Sequence, residues 1–148
     1  MTIDQVETDI VHAVNELLEE RQQLLVSFCR AAGLNTGGEQ VGAVGQLSVL
    51  KRLCQVLMDY YALWQFEIHD YLLRNKARYS QALVELQRAS NSLDQSRNIA
   101  VAFNDKYDFE SRTLRLEGLE SDLSMLGEEI AQQVAVEDRV IRAMGKPH

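Results

Sequence analysis

The sequence predicts an all-α protein: an antiparallel four-helix bundle with long helices. Three observations lead there. The only proline among 148 residues is Pro147, so nothing of that kind breaks a helix earlier in the chain. Apolar residues recur at three-to-four spacing over long stretches, the mark of amphipathic helices. No stretch of useful length alternates with period two, so no strand is predicted.

A first helix is expected over about residues 3–32. Ile10, Val14, Leu17, Leu24 and Phe28 form its apolar stripe. Arg21 interrupts that stripe; its stem can pack while its head seeks a carboxylate. Gly33 reads as the stop. Residues 33–45, GLNTGGEQVGAVG, hold five of the eight glycines. No Lys–Ser/Thr follows and no strand precedes, so this is a flexible connection and no phosphate loop.

A second helix is expected over 46–74, with Leu47, Leu50, Cys54, Leu57, Tyr61, Trp64, Ile68 and Tyr71 as its buried line. Asn75 and the cations after it suit a C-terminal end, where the helix dipole favours positive charge. A third helix, over 78–104, turns Leu83, Leu86, Leu93, Ala100 and Phe103 inward. The run FNDKYD at 103–108 ends it, because Asn and Asp compete for backbone hydrogen bonds. A fourth, over 110–143, carries Leu116, Leu119, Leu123, Leu126, Ile130, Val134 and Ile141, and Gly145 and Pro147 terminate it. The length suits one helical-bundle domain over residues 1–148.

Composition narrows the function. Hydrophobic residues make up 46% and charged residues 25%, values of a globular chain and not a disordered one. No apolar run approaches the roughly 20 residues that cross a bilayer. The acidic start, MTIDQVETDI, lacks the features of a signal peptide. Cys29 and Cys54 lie in helical patterns and read as small buried hydrophobes of a cytoplasmic protein. A net charge of −7 argues against direct binding to nucleic acid and suits a basic partner. Residues 1–20 hold six acids and 116–138 hold seven, each without Lys or Arg. If the first and last helices are neighbours, these faces are expected to merge into one negative surface.

Catalytic constellations are missing. His12, His69 and His148 are the three histidines, and none follows a Glu by three residues as a di-iron bundle requires. Cys54 and His69 on one helix lie roughly 22 Å apart, too far to cooperate. No H-E-x-x-H, C-x-x-C or G-x-S-x-G is present. No metal, no cofactor and no enzymatic activity are expected.

Residues 53–72, LCQVLMDYYALWQFEIHDYL, mix polar and aromatic side chains into a helical rhythm. Asp59 sits in its apolar part and is either paired with a base such as Arg21 or exposed to a partner. Trp64 is a core or groove anchor, or an interface hot spot if exposed. His69 reads as a surface or half-buried histidine.

Six segments, in order, carry a family resemblance: ERQQLLVSF (20–28), LCQVLMDY (53–60), FEIHD (66–70), AFNDKYD (102–108), DLSMLGEEIA (122–131) and VEDRVI (136–141). Together they resemble the Rsd/AlgQ anti-sigma regulators over nearly the whole chain. The resemblance implies an all-helical cytoplasmic protein that binds region 4 of the primary sigma factor of bacterial RNA polymerase. That would keep sigma from the polymerase core and the −35 promoter DNA and favour alternative sigma factors. It assigns partner contact to Arg21 and Leu24 in the first helix, to Asp59, Tyr60 and Phe66 in the second, and to Glu137 and Asp138 in the last. Trp64 and Asp70, on the same part of the second helix, complete the candidate set.

The sequence departs from the family pattern at Asn15-Glu16-Leu17, Trp64-Gln65 and His69-Asp70. Trp64 stands where the family has Gly and adds bulk at the surface assigned to sigma. It prompts the alternative reading: a helical adaptor for another signalling protein, the phosphocarrier HPr or a (p)ppGpp synthetase/hydrolase. The stripes suit a monomer or a weak dimer.

Overall fold

The computed structural model describes residues 3–35, 43–108 and 117–145. Among them every regular element is helical. Helix α1 spans Ile3–Asn35 and α2 spans Ala43–Leu63. A π-helical segment, Trp64–His69, joins α2 to a short α3, Asp70–Arg74. Then come α4 (Ser80–Arg88), α5 (Ser90–Tyr107) and α6 (Leu119–Met144).

The all-helical class is as the sequence predicts. The boundaries differ in instructive ways. Gly33 does not stop α1, which runs on to Asn35; propensity disfavours a helical glycine by only about 1 kcal/mol. The expected second helix is one rod, but its backbone widens to π geometry over Trp64–His69. The expected third helix is broken at Ala89, whose φ of −99° and ψ of 7° leave the helical register. Buried Leu86 and Ala89 sit on either side of the break's first turn, so both halves keep contact with the core. Leu116 and Pro147, assigned to the last helix and its end, lie outside the described residues. Gly118 precedes α6 with φ of 77°, a conformation costly for residues with a Cβ.

Polar contacts set the order of the rods. Arg21 reaches Tyr60, and Gln23 accepts from Arg52, so α1 and α2 run in opposite directions. Gln95 meets Glu129 and Lys106 meets Asp122, so α5 and α6 do likewise. Helix α1 also lies against α6, with Arg21 at Glu137 and Phe28 at Gly127.

The core follows the stripes. Ile10, Leu17, Leu24 and Ala31 of α1 are buried at seven-residue spacing. Helix α6 buries Leu119, Leu123, Leu126, Ile130, Gln133, Glu137 and Val140, alternating steps of four and three. The expected inward Val134 and Ile141 are only half-buried. The seam instead continues through two polar residues, Gln133 and Glu137. Cys54 is buried, as expected, but Cys29 is exposed on the outer side of α1.

Candidate functional site

Two arrangements matter: a buried polar cluster that locks three helices, and an outer ridge on the second rod. The cluster begins with Arg21. Its position in the second line of the α1 seam, between half-buried Val14 and Phe28, points the stem inward. Its Nη2 donates to Glu137 Oε1 and its Nη1 to Asp138 Oδ1, each at 2.9 Å. Its Nε donates to the Tyr60 hydroxyl at 3.3 Å. Tyr60 donates to Glu137 Oε1, and Gln133 Nε2 donates to Glu137 Oε2 at 2.9 Å.

Burial raises the Glu137 carboxyl above its ordinary value, and hydrogen bonds from Tyr60, Gln133 and Arg21 offset only part of that. Burial raises the Tyr60 phenol too, and the Glu137 charge adds to it. For Arg21 burial acts downward, but its bonds to Tyr60 and Glu137 outweigh this, so the guanidinium stays charged. The cluster is a clasp: a charge held by two acids and a phenol, tying α1, α2 and α6 at one level.

The structure therefore gathers four of the candidate residues, Arg21, Tyr60, Glu137 and Asp138, but mostly inside the bundle. Leu24, Tyr60 and Glu137 have no exposed surface, and Trp64 is 3% exposed. As placed, these four offer nothing to a partner; three- and four-residue spacing turns them to the core. The bulk of Trp64 accordingly lies within the bundle, not on the outer face, and supplies no reason for a changed partner. Arg21, expected as a pairing option for Asp59, is taken by Glu137 and Asp138. Asp59 is exposed.

The outer ridge holds the rest. Gln55, Asp59, Ala62, Phe66 and Leu73 are exposed along the second rod. Phe66 is 63% exposed, the most exposed large apolar side chain among the described residues. The π segment helps to set it there, since a wider turn shifts the side chains that follow. Asp70 is half-exposed and accepts from Gln65 Nε2 at 3.3 Å. Half-buried His69 faces the same Gln65 Nε2 through Nδ1 at 3.2 Å.

The acidic stretches do not form the single surface expected. Helices α1 and α6 are neighbours, but antiparallel, so the start of α1 lies beside the end of α6. Glu120 is roughly 27 Å along α6 from Asp138, on the far side of the clasp from Asp9 and Glu16. Asp9 and Glu16 instead share a surface recess with Glu67, Tyr71 and Arg74. At the opposite end Asp122 takes hydrogen bonds from Lys106 at 2.7 Å and Tyr107 at 2.5 Å.

The arrangement is that of a binding scaffold. Burial, with the charge of Asp108, pushes the Cys54 thiol up to about 12, which leaves it a poor nucleophile. No group of three His, Cys, Asp or Glu side chains among the described residues is arranged to hold a metal ion. No described helix is long and apolar enough to cross a membrane.

A family model described as "Regulator of RNA polymerase sigma(70) subunit, Rsd/AlgQ" matches residues 2–145. A curated relative, the "Regulator of sigma D" of Pectobacterium carotovorum subsp. carotovorum (strain PC1), is 25% identical over 135 residues, covering 87% of this chain and 85% of that protein. The protein of the same name from Yersinia pseudotuberculosis serotype O:1b (strain IP 31758) is 26% identical over 141 residues, covering 91% and 83%. No solved structure matches.

Proposed function

The chain belongs to the Rsd/AlgQ family of regulators of the RNA polymerase sigma(70) subunit, and from that premise we propose that it is an anti-sigma protein acting by stoichiometric capture. Its partner is the primary sigma factor, bound through region 4 and so withheld from the polymerase core and from −35 promoter DNA. It acts in the cytoplasm, without a cofactor and without touching nucleic acid.

The observation that carries the reading is an exposed aromatic, Phe66, on the same outward side of the second rod as the exposed carboxylate Asp59. A large apolar side chain held in water is an anchor awaiting a pocket. An acid on the same ridge suits a basic DNA-reading domain and adds to encounter rate and register. The proposed contacts are Phe66, Asp59 and half-exposed Asp70. Arg21, Leu24, Tyr60, Trp64 and Glu137 serve from inside, holding the rod that presents the ridge, and Asp138 closes the clasp at its rim.

Titration of the purified protein against an isolated region 4 tests this. One-to-one binding is expected, weakened by Phe66→Ala and by Asp59→Lys, with helicity and melting temperature unchanged in both variants. Wild-type affinity in both variants would remove the ridge from the interface, and no binding by the wild type would remove the partner.

A further inference from the structure

A cavity of about 230 Å³ lies between the π segment, the α4–α5 break and α6. It is on the inner side of the second rod, away from the Phe66 ridge. Its deep walls are the buried rings of Tyr61 and Trp64 with Leu86. Both local departures from a regular helix make the room: the widened backbone at Trp64–His69 and the break at Ala89. Such π segments often mark functional sites.

The wall facing α6 carries an unmatched acceptor. Gln133 is 2% exposed and lines the cavity. Its Nε2 is committed to Glu137 Oε2, which fixes the way the amide faces, since the reverse orientation would set two oxygens together. Its Oε1 has no hydrogen-bond partner. Buried polar atoms are seldom left so, and the site has a place for a donor.

The charges at the mouth cancel. Exposed Asp94 and Arg97 pair at 3.3 Å, and exposed Ser90 sits beside them. The volume is below the roughly 300–1,000 Å³ of sites for drug-sized ligands, which limits the occupant to one or two rings. Trp64, Gln65 and His69, three positions at which the sequence departs from the family pattern, all line this cavity.

We propose that the cavity is a binding site for a small, neutral, planar heteroaromatic molecule that donates an N–H to Gln133 Oε1 and lies against Trp64. The aromatic walls select a flat ring, the orphan oxygen selects a donor, and the balanced mouth selects against net charge. This site stands independently of the sigma-facing ridge.

Trp64 is the only tryptophan, so its fluorescence reports on the cavity in the intact protein. Benzimidazole, which has an N–H, and 1-methylbenzimidazole, which lacks it, are the probes. Saturable change with benzimidazole is expected, and the methylated probe should bind ~10-fold more weakly, as loss of one buried hydrogen bond implies. Ser90→Phe, at the exposed mouth, should weaken benzimidazole by a similar factor while leaving the melting temperature and sigma binding unchanged. Non-saturable quenching, equal binding of the two probes, or full binding by Ser90→Phe would each overturn the proposal; the first would mean that the cavity holds solvent only.

Discussion

Arg21 and Glu137 form an ion pair at 2.9 Å in which the carboxylate has no exposed surface. Removing one partner of a buried pair leaves an uncompensated charge, at a cost of about 3–5 kcal/mol. Arg21→Met is expected to lose that much in urea unfolding at neutral pH. The double variant Arg21→Met/Glu137→Met should recover most of it, since buried pairs are often replaceable by apolar side chains. A double variant no more stable than the single one would show the clasp to be a net stabiliser.

The same pair sets a pH dependence. Glu137 is raised by burial above its ordinary value of 4.5, so the folded protein binds this proton more tightly than the unfolded chain. Its contribution is fully present below 4.5 and is lost as pH rises through the higher folded value. The stability of wild type relative to Glu137→Gln should therefore fall between about pH 4.5 and neutrality. A constant difference would refute the assignment. Asp122 runs the other way: burial acts upward, but bonds from Lys106 and Tyr107 outweigh it and hold the carboxyl below 3.8. Its contribution is present above that value and lost as pH falls through the lowered one.

The need of Arg21 for a carboxylate is legible in its place within an apolar stripe. Which carboxylate answers is not, because Glu137 lies 116 positions away in sequence. Even so, a signal existed. Leu119, Leu123, Leu126 and Ile130 step by four and three, and continuing that rhythm lands on Gln133 and Glu137. Following the nearest apolar residues instead, to Val134 and Ile141, slips off the seam.

At the scale of elements, close packing decides what local propensity cannot. Gly127 lies inside α6, where alanine would ordinarily be better by about 1 kcal/mol. A Cβ there would meet the Phe28 ring tip at 2.8 Å, so the half-buried ring must swing aside. Gly127→Ala is expected to stabilise a Phe28→Ala background by about 1 kcal/mol and the wild type by clearly less. Equal gains in a double-mutant cycle would mean that the ring yields freely. The sequence marks Gly127 as a close approach or a bend; the structure shows the approach.

The π segment and the break at Ala89 were not legible. Both occur in stretches whose apolar spacing is compatible with unbroken helices. Each arises where one rod must stay in register with two neighbours: the second rod packs on α1 and α5, and α4 and α5 both pack on α6. One wider turn or one interruption corrects the phase of a side-chain row, and those corrections also open the cavity beside Trp64.

For the whole molecule, a net charge of −7 and a proposed basic partner predict a salt-dependent complex. The association rate should fall as ionic strength rises, because exposed charges are screened beyond roughly 10 Å at 0.1 M salt. Asp59→Lys should act mainly on that rate and Phe66→Ala mainly on dissociation. Stopped-flow measurements at two salt concentrations separate them, and a salt-insensitive association rate would rule out steering.

By itself the sequence determined the helical class, the inward stripes and the segments that carry the family resemblance, because each is written in spacings of a few residues that the helix period translates directly into faces. It also marked the second rod as the place to look for a partner surface. Only the tertiary structure decided that Tyr60, Trp64 and Glu137 face inward while Asp59 and Phe66 face out, that the acidic stretches lie apart, and that Gln133 fronts a cavity. Those outcomes depend on which helix lies beside which and in which direction, a register set by packing between residues far apart in the chain, where local periodicity carries no information.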